Sequence, residues 1–212
     1  MYTFLSGNSR RLWYWLRVAF AMGMAVVVVG VANQIFPLNT SEDGFIEAAE
    51  LIVIIGMVLA WAIAAVKAER SHVEFRAGIV AICLTFTAVS FAGVGRETTW
   101  GAIYGLAPAT VNFFMMTSAV IVILLFVTAV TLVVTHFEDT KTSLRNLITS
   151  RPMGWISCGL ILFAIGAAFE ENLFGVEPHE LFEEVFELLA YLSVIFAAVS
   201  LISTLGTNPS AR

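Results

Sequence analysis

Six stretches of at least 20 mainly apolar residues dominate the chain, at approximately residues 12–36, 42–66, 74–95, 111–135, 152–174 and 178–205. A helix of about 20 such residues spans the roughly 30 Å hydrocarbon layer of a bilayer. Lipid offers no hydrogen bonds, and a helix satisfies its interior backbone N–H and C=O groups within itself. The expected fold is therefore all-α: a polytopic membrane helical bundle in which residues 1–212 form a single domain of six transmembrane helices. Composition agrees, with 59% hydrophobic and 13% charged residues, where a soluble domain carries about 25% charged. Disorder, a collagen-like chain and a disulfide scaffold are excluded by the same figures. Pro152 and Pro178 stand at the start of the last two stretches, where a proline suits the first helical turn.

Charge sets the expected orientation. Of the 11 Lys and Arg residues, Arg10, Arg11, Arg17, Lys67, Arg70, Arg76, Lys141, Arg145, Arg151 and Arg212 fall on one side of the predicted spans, and Arg96 falls on the other. The positive-inside rule then places both termini in the cytoplasm. Ser9-Arg10-Arg11 precedes the first stretch like a twin-arginine signal, but no A-x-A cleavage site follows and five more spans do, so 12–36 reads as a retained helix. The net charge of −5 argues against nucleic acid as a partner. Cys83 and Cys158 lie in apolar stretches with no C-x-x-C spacing, and read as small buried side chains.

The acids are the feature that lipid alone does not explain. Most of them fall on the outer side, opposite the basic residues. Glu50 lies roughly 12 Å along the second span and Glu187 about 13 Å along the sixth, below headgroup level, where a charge costs of order 1–3 kcal/mol or more and must face a protein interior or a wet cavity. The two helix starts resemble each other: Phe45-Ile46-Glu47-Ala48-Ala49-Glu50-Leu51-Ile52 aligns with Phe182-Glu183-Glu184-Val185-Phe186-Glu187-Leu188-Leu189. Each supplies an E-x-x-E pair, Glu47/Glu50 and Glu184/Glu187, whose members share a helix face. Arg96-Glu97 ends the third span, Glu170-Glu171-Asn172 the fifth, and His179 stands one turn before Glu183. Acids at helix N-termini favour the macrodipole, which accounts for Glu42, Asp43, Glu177 and Glu180 but poorly for Glu50 and Glu187.

Close carboxylates cannot all stay ionised without compensation; some take protons or share a cation. The pattern is similar to that of di-metal carboxylate bundles, which use two single glutamates and two Glu-x-x-His motifs on four helices. Here Glu50 and Glu187 stand at the histidine positions, so all-oxygen ligation of Ca²⁺, Mg²⁺ or Mn²⁺ suits the set better than Fe. The candidate metal ligands are Glu47, Glu50, Glu97, Glu171, His179, Glu184 and Glu187, with Arg96 as an ion-pair or anion contact.

Three short motifs run through these positions: Glu42-Asp43-Gly44 with Glu47, then Arg96-Glu97-Thr98-Thr99-Trp100-Gly101, then Glu184 with Glu187-Leu188-Leu189. In them the chain resembles a group of uncharacterised bacterial multi-pass inner-membrane proteins that carry E-D-G-x-x-E, E-E-I-S-W-G and E-x-x-E-L-L. That group continues W-G-Q where this chain has Ala102, and has a later N-L-H that this chain lacks. The resemblance implies the bacterial inner (cytoplasmic) membrane and brings no activity with it.

The remaining features position rather than react. Residues 95–101 are too short and polar to span, and read as an outer interfacial or re-entrant loop with Trp100 and Tyr104 at headgroup level. Gly56, Ala60 and Ala64 permit close helix packing. The fourth span, 111–135, carries no charge and is expected to face lipid or a partner, either another membrane protein or a second copy. Leu144, Leu147 and Ile148 predict a short surface helix in the loop 138–151. P-loop, G-x-S-x-G, H-E-x-x-H and dinucleotide motifs are missing, and all three histidines lie near span ends, which disfavours nucleotide hydrolysis, serine hydrolysis and a bis-His haem. The readings left are a cation-binding protein, for transport or metal-assisted chemistry, a proton- or cation-coupled carrier, and a non-catalytic accessory subunit of a larger complex.

Overall fold

The computed structural model describes residues 45–173, 175 and 179–205, with the side chains of residues 45–48, 103 and 104 outside that description. The first predicted span, 12–36, lies outside the described residues. The rest is helical: α1 (Phe45–Glu69), α2 (Arg76–Glu97), a 3₁₀ turn (Thr99–Tyr104), α3 (Pro108–Thr135), α4 (Phe137–Ile148), α5 (Arg151–Glu170) and α6 (His179–Leu205). Five of these, all but α4 and the 3₁₀ turn, are long and apolar enough to cross a membrane.

The five long helices pack side by side in the order α3, α2, α1, α6, α5, so α1 sits between α2 and α6 rather than at an edge. Consecutive long helices run antiparallel, which gives the bundle two chemically distinct ends. One end gathers Lys67, Arg70, Arg76, Lys141, Arg145 and Arg151. The other gathers Arg96 with Glu50, Glu97, Glu170, Glu183, Glu184 and Glu187.

Small residues let the row close. Trp61 on α1 is fully buried and stacks on Phe86 of α2 at a centroid distance of 4.4 Å. Ala64, Ala68, Cys83, Ala197 and Ala198 complete this core with no exposure at all. Gly56 faces Ile195 of α6, and Gly159 of α5 sits 3.1 Å from the Ala190 carbonyl, measured from where its Cβ would stand. The opposite face of α1 (Ile52, Ile55, Leu59, Ile63 and Val66) is exposed, as apolar surface in contact with lipid can be. On α3, Ala129 is the one buried residue, and Phe113, Met116, Leu124 and Val134 are each more than half exposed.

Span boundaries shift where turn chemistry intervenes. The α3 helix starts at Pro108, three residues before the predicted 111, because the proline occupies its first turn. The α5 helix stops at Glu170, short of the predicted 174, because Asn172 adopts a left-handed φ of 48°. The predicted surface helix is α4. It docks on the start of α2 through the Ser143 hydroxyl, which donates to the Phe75 carbonyl at 2.9 Å, over a gap left by Gly78.

A Cβ at Gly78 would stand 2.6 Å from Thr140 Cα, too close for either backbone to keep its place. Gly78→Ala is expected to destabilise the protein by about 1–3 kcal/mol, the range for overpacking, and to release α4. Limited trypsin digestion at Lys141 and Arg145 should accelerate alongside a lower melting temperature. Unchanged digestion would mean that α4 is not held through this contact.

Candidate functional site

Hydroxyls and carboxylates face different problems inside an apolar helix. A hydroxyl can donate back to the carbonyl one turn earlier, as Thr85, Thr87, Ser90 and Ser193 do at 2.7–2.9 Å. A carboxylate only accepts, and the interior N–H groups of a helix are already spent on its own ladder. A glutamate buried there needs a side chain from elsewhere.

Glu187, 6% exposed, has two such partners. Arg96 Nη2 at the end of α2 stands 3.6 Å from its Oε1. The Tyr191 hydroxyl, one turn along α6, donates to its Oε2 at 3.4 Å. The same guanidinium reaches Glu97 Oε1 through Nε at 3.5 Å, so one arginine bridges two carboxylates on two helices. Glu50 on α1, 3% exposed, lies within electrostatic reach of the Tyr191 hydroxyl, as do Glu97 and Glu187. Glu170 at the end of α5 and Glu183 on α6 extend the negative field toward Arg96 and Glu187.

Local backbone chemistry delivers these groups. The α2 helix ends as Thr98 directs both its N–H and its hydroxyl to the Val94 carbonyl, at 3.1 and 2.8 Å. Thr99, Trp100 and Gly101 then take left-handed φ values of 40°, 55° and 96°. Such a conformation costs a non-glycine residue of order 1 kcal/mol. The reversal folds the Trp100 indole against Gly95, where a Cβ would collide with the ring. Trp100 thus lines a cleft between α2 and α3 together with Phe91, Leu106 and Phe114, while Arg96 reaches α6. On the other flank Gly166 of α5 leaves room for the Glu187 stem, whose Cγ lies 3.4 Å from where a Cβ would be.

The sequence-derived candidates are therefore distributed unequally. Glu50, Glu97, Glu187 and Arg96 converge around Tyr191, and one oxygen of Glu184 is buried on α6. His179 opens α6 and is half-buried, while Glu171 caps α5 and is exposed. The Glu47 side chain lies outside the described residues. Tyr191 and Gly166 belong to the site without having been singled out, and Glu170 and Glu183 without having been counted among the candidate ligands. The signal for Tyr191 was its spacing four residues after Glu187, one turn along the same face.

Among the described residues, no three His, Cys, Asp or Glu side chains are arranged to hold a metal ion. The formed contacts are those of a carboxylate cluster with an arginine in it. Comparison with family models, with curated proteins and with solved structures returns no match to this chain.

Removing Arg96 strands Glu187. Arg96→Gln is expected to cost about 1–3 kcal/mol, the range for an orphaned buried acceptor, rather than the larger figure for a fully buried pair, because the Arg96 side chain is 59% exposed. Adding Glu187→Gln should recover at least half of that loss in a thermal or denaturant titration. Strict additivity of the two substitutions would show that the groups are not coupled.

Proposed function

We propose that the chain is a multi-pass protein of the bacterial inner membrane, with both termini in the cytoplasm, that binds a cation at the Glu50–Glu97–Glu187 cluster on the periplasmic side. The supporting observation is an imbalance of charge. Arg96 reaches Glu97 and Glu187 on two helices, and Glu50 on a third helix is buried within electrostatic reach of the same Tyr191 hydroxyl. Close carboxylates do not all stay ionised without compensation, and a cation shared among them supplies it. Oxygen donors from carboxylates and the Tyr191 hydroxyl favour a hard divalent ion such as Ca²⁺, Mg²⁺ or Mn²⁺ over a soft one. In this reading Arg96 holds Glu97 and Glu187 in position, and Glu50 completes the set from α1. The ion would serve transport or metal-assisted chemistry on a substrate reaching the outer leaflet, and proton exchange at the same glutamates would serve a coupled carrier.

A second reading, an accessory subunit of a larger membrane complex or a homo-oligomer, draws on α3. That helix exposes apolar side chains along nearly its whole length, a face that a partner helix could cover as readily as lipid.

Metal titration separates the readings. Purified protein is expected to bind one divalent ion per chain, and 100-fold excess over Kd should stabilise it by about 2.7 kcal/mol in a thermal assay. Glu50→Gln/Glu187→Gln should weaken binding at least tenfold. A wild-type protein that shows no stabilisation by Ca²⁺, Mg²⁺ or Mn²⁺ and carries no metal by elemental analysis would refute the divalent site.

A further inference from the structure

At the basic end of the bundle, α4 lies across the starts of α2 and α5 and encloses, with the end of α6, a cavity of about 430 Å³. This is within the usual range for pockets that hold a small organic ligand, about 300–1,000 Å³. The floor is apolar and buried: Ile79 and Leu201 are each 8% exposed, and Pro152 is fully covered. The exposed lining residues are polar (Asn146, Arg151 and Thr204), and they mark the mouth. Arg151 is the one charged residue among the described residues that line it. An apolar floor gives ordered water too few of the two to four polar partners it needs.

The position of the cavity narrows what could fill it. Its walls are the ends of three helices long and apolar enough to cross a membrane, closed by a fourth that has the character of an interfacial helix. On α4, Phe137, Leu144 and Ile148 form one exposed apolar face, and Lys141 and Arg145 flank it. A helix of that kind lies at headgroup level. Glu138 pairs with Lys141 at 3.7 Å and Asp139 with His136 at 3.7 Å, and among the described residues the one charged side chain that lines the cavity is the Arg151 guanidinium. A guanidinium is suited to a phosphate, which it can grip through two parallel N–H donors, and basic pockets between membrane helices are recognised headgroup sites.

We propose that the cavity between α2, α4, α5 and α6 holds an acyl chain of one anionic phospholipid, with the headgroup phosphate bound by Arg151 at the mouth. The ligand is recognised by two features of one cavity: an apolar floor and a cation at its mouth. Among the described residues at this end, six basic side chains outnumber four acidic ones (Glu69, Glu74, Glu138 and Asp139), a balance that favours an anionic headgroup over a zwitterionic one. The site is at the opposite end of the bundle from the carboxylate cluster and does not depend on it.

Native mass spectrometry of the full chain, released from nanodiscs of equal parts phosphatidylglycerol and phosphatidylcholine, tests the proposal. Wild-type protein should retain one lipid per chain under activation, with phosphatidylglycerol favoured at least fivefold. Ile82→Trp, which puts an indole into the cavity, should lower retention at least fivefold. Arg151→Gln should keep a retained lipid but lose the preference for phosphatidylglycerol. If Ile82→Trp alters helicity or elution, Leu205→Trp at the cavity edge replaces it. Absence of retained lipid in the wild type, equal retention by the filled variant, or undiminished headgroup preference in Arg151→Gln would each overturn the proposal.

Discussion

A carboxylate in the middle of an apolar helix has no local remedy, and the arrangement at the acidic end of this protein follows from that. Serine and threonine in α2 and α6 settle their hydrogen bonds within their own helix, so they place no demand on the fold. Glu187 must reach Arg96 on α2 and Tyr191 on its own helix. Glu50, on the helix between, shares that environment. A carboxylate–guanidinium attraction at about 4 Å is worth roughly 4 kcal/mol at an effective dielectric near 20, but removing the groups from water offsets much of it. The pair therefore contributes more to the relative placement of α2 and α6 than to net stability.

The two ends of the bundle use opposite chemistry for related purposes. At the acidic end, one arginine ties α2 to α6 through Glu187 and holds Glu97 beside it. At the basic end, polar side chains contribute little to the packing: α4 is held by one serine hydroxyl over a glycine, with an apolar cavity beneath. Between the ends the core is built from aromatic stacking and alanine contacts, with Trp61 and Phe86 at its centre.

Much of this was legible in the sequence because lipid permits so few backbone arrangements. Apolar length alone locates five of the helices, and the depth of Glu50 and Glu187 marks them for burial. Arg96 stands out as the lone basic residue on its side. Other features depend on packing partners that no local pattern reveals. The spacing of Tyr191 one turn after Glu187 makes a contact possible, and the packing decides that the hydroxyl turns to the carboxylate. Gly166 resembles many small residues in membrane helices, and its importance comes from the Glu187 stem that passes over it. Glu171 was grouped with the cluster on the assumption that α5 continued. The left-handed turn at Asn172 ends the helix first and leaves Glu171 in the open.

The helix order has a consequence for biogenesis. Since α1 is flanked by α2 and α6, it gains its second described neighbour only once α6 has been made. Until then α1 lacks the helix that brings Tyr191 and Glu187 toward Glu50. Assembly of the acidic end is thus coupled to synthesis of a helix that begins 110 residues after α1 ends.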